Sequence, residues 1–142
     1  MTRDDGRSES DAETARLLNL AGQSLARSYS PYSRFRVGAA ALFEDGRVSA
    51  GTNVENASYG ATVCAERVAV WAGVAAGGRR LRMVALVSDA PQPVWPCGMC
   101  LQVMAEFGRE AEIVSRGASG EVLTARLGDL LTRPFDSFPG GR

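Results

Sequence analysis

Apolar residues run along the chain in short patterned stretches separated by turn signals. Ala15, Leu18, Ala21 and Leu25 recur at helical spacing, and Ser10 with Glu13 has the S-x-x-E form of a capping box. A helix is therefore predicted from about Ser10 to near Ser28, after a polar, flexible tail over residues 1–10. Ser30-Pro31-Tyr32-Ser33 reads as a loop. Phe35, Val37, Ala39, Ala41 and Phe43 then alternate as on one face of a strand. Asp45-Gly46 is a hairpin turn signal, with a return strand over Val48 to Val54. The polar and aromatic stretch from Asn53 to Thr62 reads as a loop at the sheet edge, with Thr62 as the cap of a helix from about Cys64 to Ala76 that Gly77-Gly78 stops.

Met83 to Val87 is a short apolar run, the pattern of a strand covered on both faces. Ala90 to Pro96 holds three prolines and must be loop. Cys97 to Phe107 reads as a helix ended by Gly108. Two short strands, Glu112 to Ser115 and Val122 to Ala125, flank a Gly-Ala-Ser-Gly turn, and Leu127 to Leu131 forms a last helical turn. Strands alternating with helices after an opening hairpin predict an α/β sandwich with a mixed sheet, in a single domain over residues 11–138.

Composition narrows the function classes. At 142 residues and 45% hydrophobic, the chain can build a core without disulfide staples. Lys+Arg and Asp+Glu are 16 each, so the basic excess that drives binding to a nucleic-acid backbone is absent. The stretch after Met1 lacks the apolar core of a signal peptide, and no apolar run approaches the ~20 residues of a membrane span. A cytoplasmic protein with no nucleic-acid or membrane partner is expected. The absence of histidine removes Ser/His/Asp, Cys/His and H-E-x-x-H chemistry together.

The candidate chemistry lies in two segments, Cys64-Ala65-Glu66-Arg67 and Pro96-Cys97-Gly98-Met99-Cys100. A C-x-x-C at a helix start puts two sulfurs within reach of one metal, and Cys64 supplies a third from the start of another helix. Thiolate suits zinc, which takes four tetrahedral ligands. With no histidine, the fourth place is most simply a water, the open arrangement of a catalytic zinc site. Helix N-termini lower thiol pKa values, which favours the thiolate form a metal needs. Three thiolates on Zn²⁺ leave a formal charge of about −1, which the two helix dipoles and Arg67 can offset. Glu66, two residues from a ligand, suits a general acid and base rather than a fourth ligand. Read without the rest, the C-x-x-C also fits a redox pair or half a zinc knuckle, and Arg67 also fits a surface arginine. The C-x-E-R and P-C-G-x-C segments together have the layout of zinc-dependent nucleobase deaminases in their three-cysteine form.

At these residues the sequence resembles the homotetrameric cytidine deaminase family. Ser30-Pro31-Tyr32-Ser33, the run FRVGAA over 35–40, Asn53 to Gly60 (NVENASYG), Gln102 and Glu106-Phe107 extend the resemblance over most of the chain, from about Leu17 to Phe135. The resemblance implies a three-layer α/β/α sandwich with a five-stranded mixed sheet. It implies one Zn²⁺ per subunit and hydrolysis of cytidine and 2′-deoxycytidine to the uridines plus ammonia. In that reaction Glu66 takes a proton from water and passes protons to the ring nitrogen and the departing ammonia. Asn53 and Glu55 match residues that hold the ribose 3′-hydroxyl, Phe35 the aromatic that packs on the base, and the Ala65 backbone the group that reads the cytosine edge. Tyr59 and Phe135 match positions that reach a neighbouring subunit's site, which implies a homotetramer with shared active sites. One departure stands out: Leu101 follows Cys100 where many members have arginine, which places more of the charge compensation on Arg67. Two other functions remain open: a deaminase of modified cytosine nucleosides on the same zinc core, and a zinc-stabilised interaction module that does not need Glu66.

Overall fold

The computed structural model describes residues 5–138. Helix α1 (Asp5–Leu25) is followed by strands β1 (Val37–Phe43) and β2 (Val48–Thr52), a 3-10 turn (Tyr59–Ala61), helix α2 (Ala65–Ala75), strand β3 (Leu81–Ser88), helix α3 (Gly98–Ala105), strands β4 (Glu112–Arg116) and β5 (Val122–Arg126), and a short helix α4 (Leu127–Leu130). The sheet has the order β2-β1-β3-β4-β5. Only β3 and β4 run parallel; the other three pairings are antiparallel. The crossover between the parallel pair is α3, as a parallel connection requires.

Helices cover both faces of the sheet. On one side Leu17, Leu18 and Ala21 of α1 pack on Ala40, Leu42, Met83, Ala85, Val87 and Val114. On the other, Ala65, Ala69 and Val70 of α2 and Cys100, Leu101 and Met104 of α3 pack on Val37, Ala39, Ala41, Phe43, Val84, Leu86 and Ile113. The α/β/α architecture and the five-stranded mixed sheet are thus as expected. The alternation in β1 also holds: Val37, Ala39, Ala41 and Phe43 share the α2 side. The intervening Ala40 and Leu42 are buried as well, because α1 lies over them.

Small residues let the layers close. Gly51 of β2 sits under the first turns of α2: a β-carbon there would lie 2.5 Å from the Ala69 nitrogen and 2.8 Å from the Ala65 carbonyl oxygen. Only glycine lets α2 come this near the sheet, and that approach fixes where the helix begins. Gly77, at φ 110°, ends the same helix in the left-handed region, as the glycine pair predicts.

Two local expectations are corrected. The first helix begins at Asp5, so residues 5–10, read as tail, are helical, while residues 1–4 lie outside the described residues. Ser10 and Glu13 are consequently helix-interior, and Glu13 pairs with Arg82 of β3 at 2.7 Å instead of closing a capping box. The N-cap position of α2 is held by Cys64, not Thr62; the Thr62 hydroxyl accepts the Asn56 N–H at 3.1 Å within the preceding loop.

Candidate active site

The helices α2 and α3 both start at the same end of the sheet, and a cysteine stands at each start. Cys64 is the N-cap of α2 and Cys97 the N-cap of α3, both with extended backbone and neither with a side-chain capping hydrogen bond. An N-cap Ser or Asp would turn its oxygen back onto the helix N–H groups. Here the sulfurs point away from the helix, toward each other. Cys100, in the first turn of α3, completes the group: Cys64 Sγ lies 4.0 Å from Cys97 Sγ, and Cys97 Sγ lies 3.5 Å from Cys100 Sγ. All three sulfurs lie within 4.8 Å of one another. Zn–S bonds of about 2.3 Å at tetrahedral angles place sulfurs about 3.8 Å apart. The group fits a zinc ion by donor type and by spacing.

The electrostatics fit a cluster that holds negative charge. The Cys64 thiol is lowered to about 5, first by the hydrogen bond it shares with Cys100 and then by Arg67. Cys100 is pushed strongly upward by the same hydrogen bond and by burial, so the metal-free cluster keeps a proton on Cys100 and a thiolate on Cys64. Arg67, one turn along α2, brings Nη2 to 3.5 Å from Cys64 Sγ.

Glu66 is 5% exposed, and its Oε2 lies 3.9 Å from Cys100 Sγ. Burial raises its carboxyl to about 7, with the Cys64 charge adding to the shift and Arg67 opposing it. A carboxyl that titrates near neutrality can both take and give a proton at physiological pH.

Cys64, Cys97 and Glu66 line a cleft of about 270 Å³ together with Phe35, Val37, Asn53, Glu55, Ala65 and Trp95, among others. Phe35 is held there by the loop before β1, which turns through Arg34 at φ 57°. The Phe35 carbonyl accepts the Asn53 Nδ2 donor at 2.7 Å, and Asn53 Oδ1 accepts the Val37 N–H at 3.0 Å. Oδ1 also accepts from the Ser28 hydroxyl. Asn53 is therefore buried and mostly engaged in holding the loop, with one amide N–H left over. Glu55 accepts the Tyr32 N–H at 2.8 Å and the Ser33 N–H at 3.1 Å, and the Ser33 hydroxyl as well; these bonds lower its carboxyl pKa. Ala65 is the first residue of α2, so its N–H has no acceptor within the helix and sits at the positive end of the dipole.

The remaining sequence-selected residues lie further out. Tyr59 is 75% exposed, meets the Tyr32 ring edge-on at 5.9 Å, and lines a wider cleft beside Glu55. Phe135 is 63% exposed and lies outside this cleft in its own chain. Its backbone is clamped by Gln102, which donates from Nε2 to the Phe135 carbonyl at 2.7 Å and accepts its N–H at 3.0 Å. Leu101 is buried in the core with Met104. Some lining residues were not found by sequence reasoning, Val94 and Trp95 among them. Trp95 and Val94 precede Cys97 in the proline-rich loop, whose only local signal was its prolines. The Ser115 hydroxyl pins the Val94 carbonyl at 2.6 Å.

Comparison with known proteins agrees with this geometry. Residues 11–116 match the family described as "Cytidine and deoxycytidylate deaminase zinc-binding region". A cytidine deaminase of Mycobacterium tuberculosis is 45% identical over 134 residues, covering 93% of this chain and 98% of that protein. One from Halalkalibacterium halodurans is 42% identical over 120 residues, covering 84% and 91%. The crystal structure of cytidine deaminase from Burkholderia pseudomallei superposes with a TM-score of 0.81 at 43% identity, covering 85% of this chain and 98% of that one. The paired cysteine segments, the buried glutamate between them and this likeness along nearly the whole chain lead to one conclusion: the chain belongs to the cytidine and deoxycytidylate deaminase family, whose zinc its three cysteines are suited to bind.

Proposed function

We propose that this chain hydrolyses free cytidine and 2′-deoxycytidine to uridine and 2′-deoxyuridine, releasing ammonia, as an enzyme of pyrimidine salvage. The observation that carries this reading is the convergence of three cysteine sulfurs and one buried carboxyl, Glu66, at a cleft that Cys64, Cys97 and Glu66 line. Cys64, Cys97 and Cys100 would hold the zinc, which when bound supplies Lewis-acid activation of a water.

The chain's own groups do the rest. Glu66 takes a proton from the water that attacks carbon 4 of the ring, delivers it to ring nitrogen 3, and passes a second proton to the amino group so that ammonia leaves. Its carboxyl, raised to about 7, suits this two-way traffic. Phe35 packs on the base, and the Ala65 N–H holds the cytosine edge. Asn53 and Glu55 bind the sugar 3′-hydroxyl, Asn53 with its remaining N–H and Glu55 after yielding part of its grip on the Ser33 loop. Arg67 offsets the surplus negative charge of the sulfurs. The catalytic domain spans residues 11–138. The enzyme acts in the cytoplasm as a homotetramer, in which Tyr59 and Phe135 complete a neighbour's site. Their exposure in one subunit supports this reading, since solvent-facing aromatics held by fixed backbone are apt for burial against another chain.

Ammonia release from cytidine, followed with pure protein, tests the proposal. Turnover should stop when a chelator removes the metal and resume when zinc is restored. Protein that carries one zinc per chain and releases no ammonia would reject it. Cytosine within an oligonucleotide should not be deaminated, given the absence of a basic excess.

A further inference from the structure

Arg67 reaches the cysteine cluster from α2 with one edge of its guanidinium, Nη2 to Cys64 Sγ, at 3.5 Å. Four residues on, one turn along the same helix face, stands Trp71. The Arg67 Cζ lies 5.8 Å from the centroid of the Trp71 ring. The indole is 47% exposed, so little of it is spent on the core. The Arg67 Nε is buried without a hydrogen-bond partner. The guanidinium hydrogen-bonds the sulfurs of Cys64 and Cys100, and the indole ring lies beside it.

An arginine side chain has large rotamer freedom, which contacts with the two sulfurs restrain only in part. A flat aromatic face restrains it and attracts the cation. It also keeps water from one side of the Arg67–Cys64 contact, where a lower local dielectric makes the attraction stronger. The residue after Cys100, Leu101, is buried in the core and brings no charge to the cluster. Among the described residues the cluster leans on Arg67, and on whatever holds that cation still.

We propose that Trp71 is a positioning residue of the metal centre: its indole holds the Arg67 guanidinium against the Cys64 sulfur and so strengthens metal retention. This rests on the reading that Arg67 offsets the charge of the thiolate cluster. Trp71 does not line the substrate cleft, and it acts through Arg67.

The test is the zinc affinity of the full chain, measured by chelator competition, for Trp71→Ala, Trp71→Phe, Arg67→Gln and the Arg67→Gln/Trp71→Ala pair. An exposed cation–π contact corresponds to roughly a two- to five-fold change in a binding constant. Trp71→Ala should weaken zinc binding by about that factor, and Trp71→Phe should restore most of the loss. In the Arg67→Gln background, Trp71→Ala should add nothing. A loss that persists undiminished without Arg67 would show that Trp71 acts by packing, and overturns the proposal. Wild-type affinity in Trp71→Ala beside a weakened Arg67→Gln overturns it too, and leaves the Arg67 reading intact. Wild-type affinity in Arg67→Gln sinks the charge-compensation reading itself, and this proposal with it. Melting of the metal-free variants guards against a folding defect, which the exposure of the indole makes small.

Discussion

Glu66 Oε2 lies 3.9 Å from Cys100 Sγ, in a place closed to solvent on the protein side and open only to the cleft. The carboxyl is close enough to serve a molecule held at the cysteine cluster, yet set two residues along the helix from Cys64 and so facing past the ligands. Glu66→Gln keeps the shape and removes the proton acceptor. Zinc content should stay at one per chain while ammonia release falls by about 10²–10⁴-fold, the usual worth of a general acid–base group. Elemental analysis beside a turnover assay checks both halves. Retained turnover would move the proton-transfer role elsewhere.

The same substitution reports on stability. Burial raises the Glu66 carboxyl to about 7 from an ordinary 4.5, so the folded chain binds a proton more tightly than the unfolded chain. Its favourable contribution is complete below about 4.5 and is lost as pH rises through about 7. In metal-free protein the Gln variant should therefore gain on the wild type across that window, by on the order of 3 kcal/mol at the alkaline end. Urea unfolding of the two metal-free proteins between weakly acid and weakly alkaline pH measures the difference. A gap that does not widen with pH would contradict the burial argument.

Gly51 offers a test of how the helix that carries the site is placed. A β-carbon there would meet the Ala69 nitrogen at 2.5 Å and the Ala65 carbonyl at 2.8 Å, both of them backbone that cannot swing aside. Gly51→Ala must push the start of α2 off the sheet, at a cost of about 1–3 kcal/mol. Turnover should fall by roughly 10²-fold, because an ångström of misplacement at a reacting group has that effect. The loss should exceed what the drop in melting temperature explains. An alanine variant with wild-type turnover would show that the helix start is not held by this contact.

Much of this was legible in the sequence, and the reason differs from one residue to another. Cys64, Cys97 and Cys100 announced themselves through spacing and through the lack of any histidine to compete with them. The strand alternation of Val37, Ala39, Ala41 and Phe43 was a local periodicity, and it survived. The burial of Ala40 and Leu42 was not local; it depends on α1 crossing the far face of the sheet. Ser10 and Glu13 misled because a capping motif is only a local preference, and Arg82, far along the chain, offered Glu13 a better partner. The engagement of Asn53 with Phe35 and Val37 was equally out of reach, since it arises where two loops meet. Trp71 was within reach through its four-residue offset from Arg67, a helical relationship visible in the sequence once the helix is assigned.

Both helices at the cluster open on a cysteine that does not cap. A serine or aspartate in those positions would give each helix about 1 kcal/mol of self-sufficient order. This chain forgoes that at two neighbouring points, and leaves their final tightening to an ion that must come from outside. Uptake of metal and completion of the two helix starts are then one event. A cell short of zinc would hold a looser protein as well as an idle one.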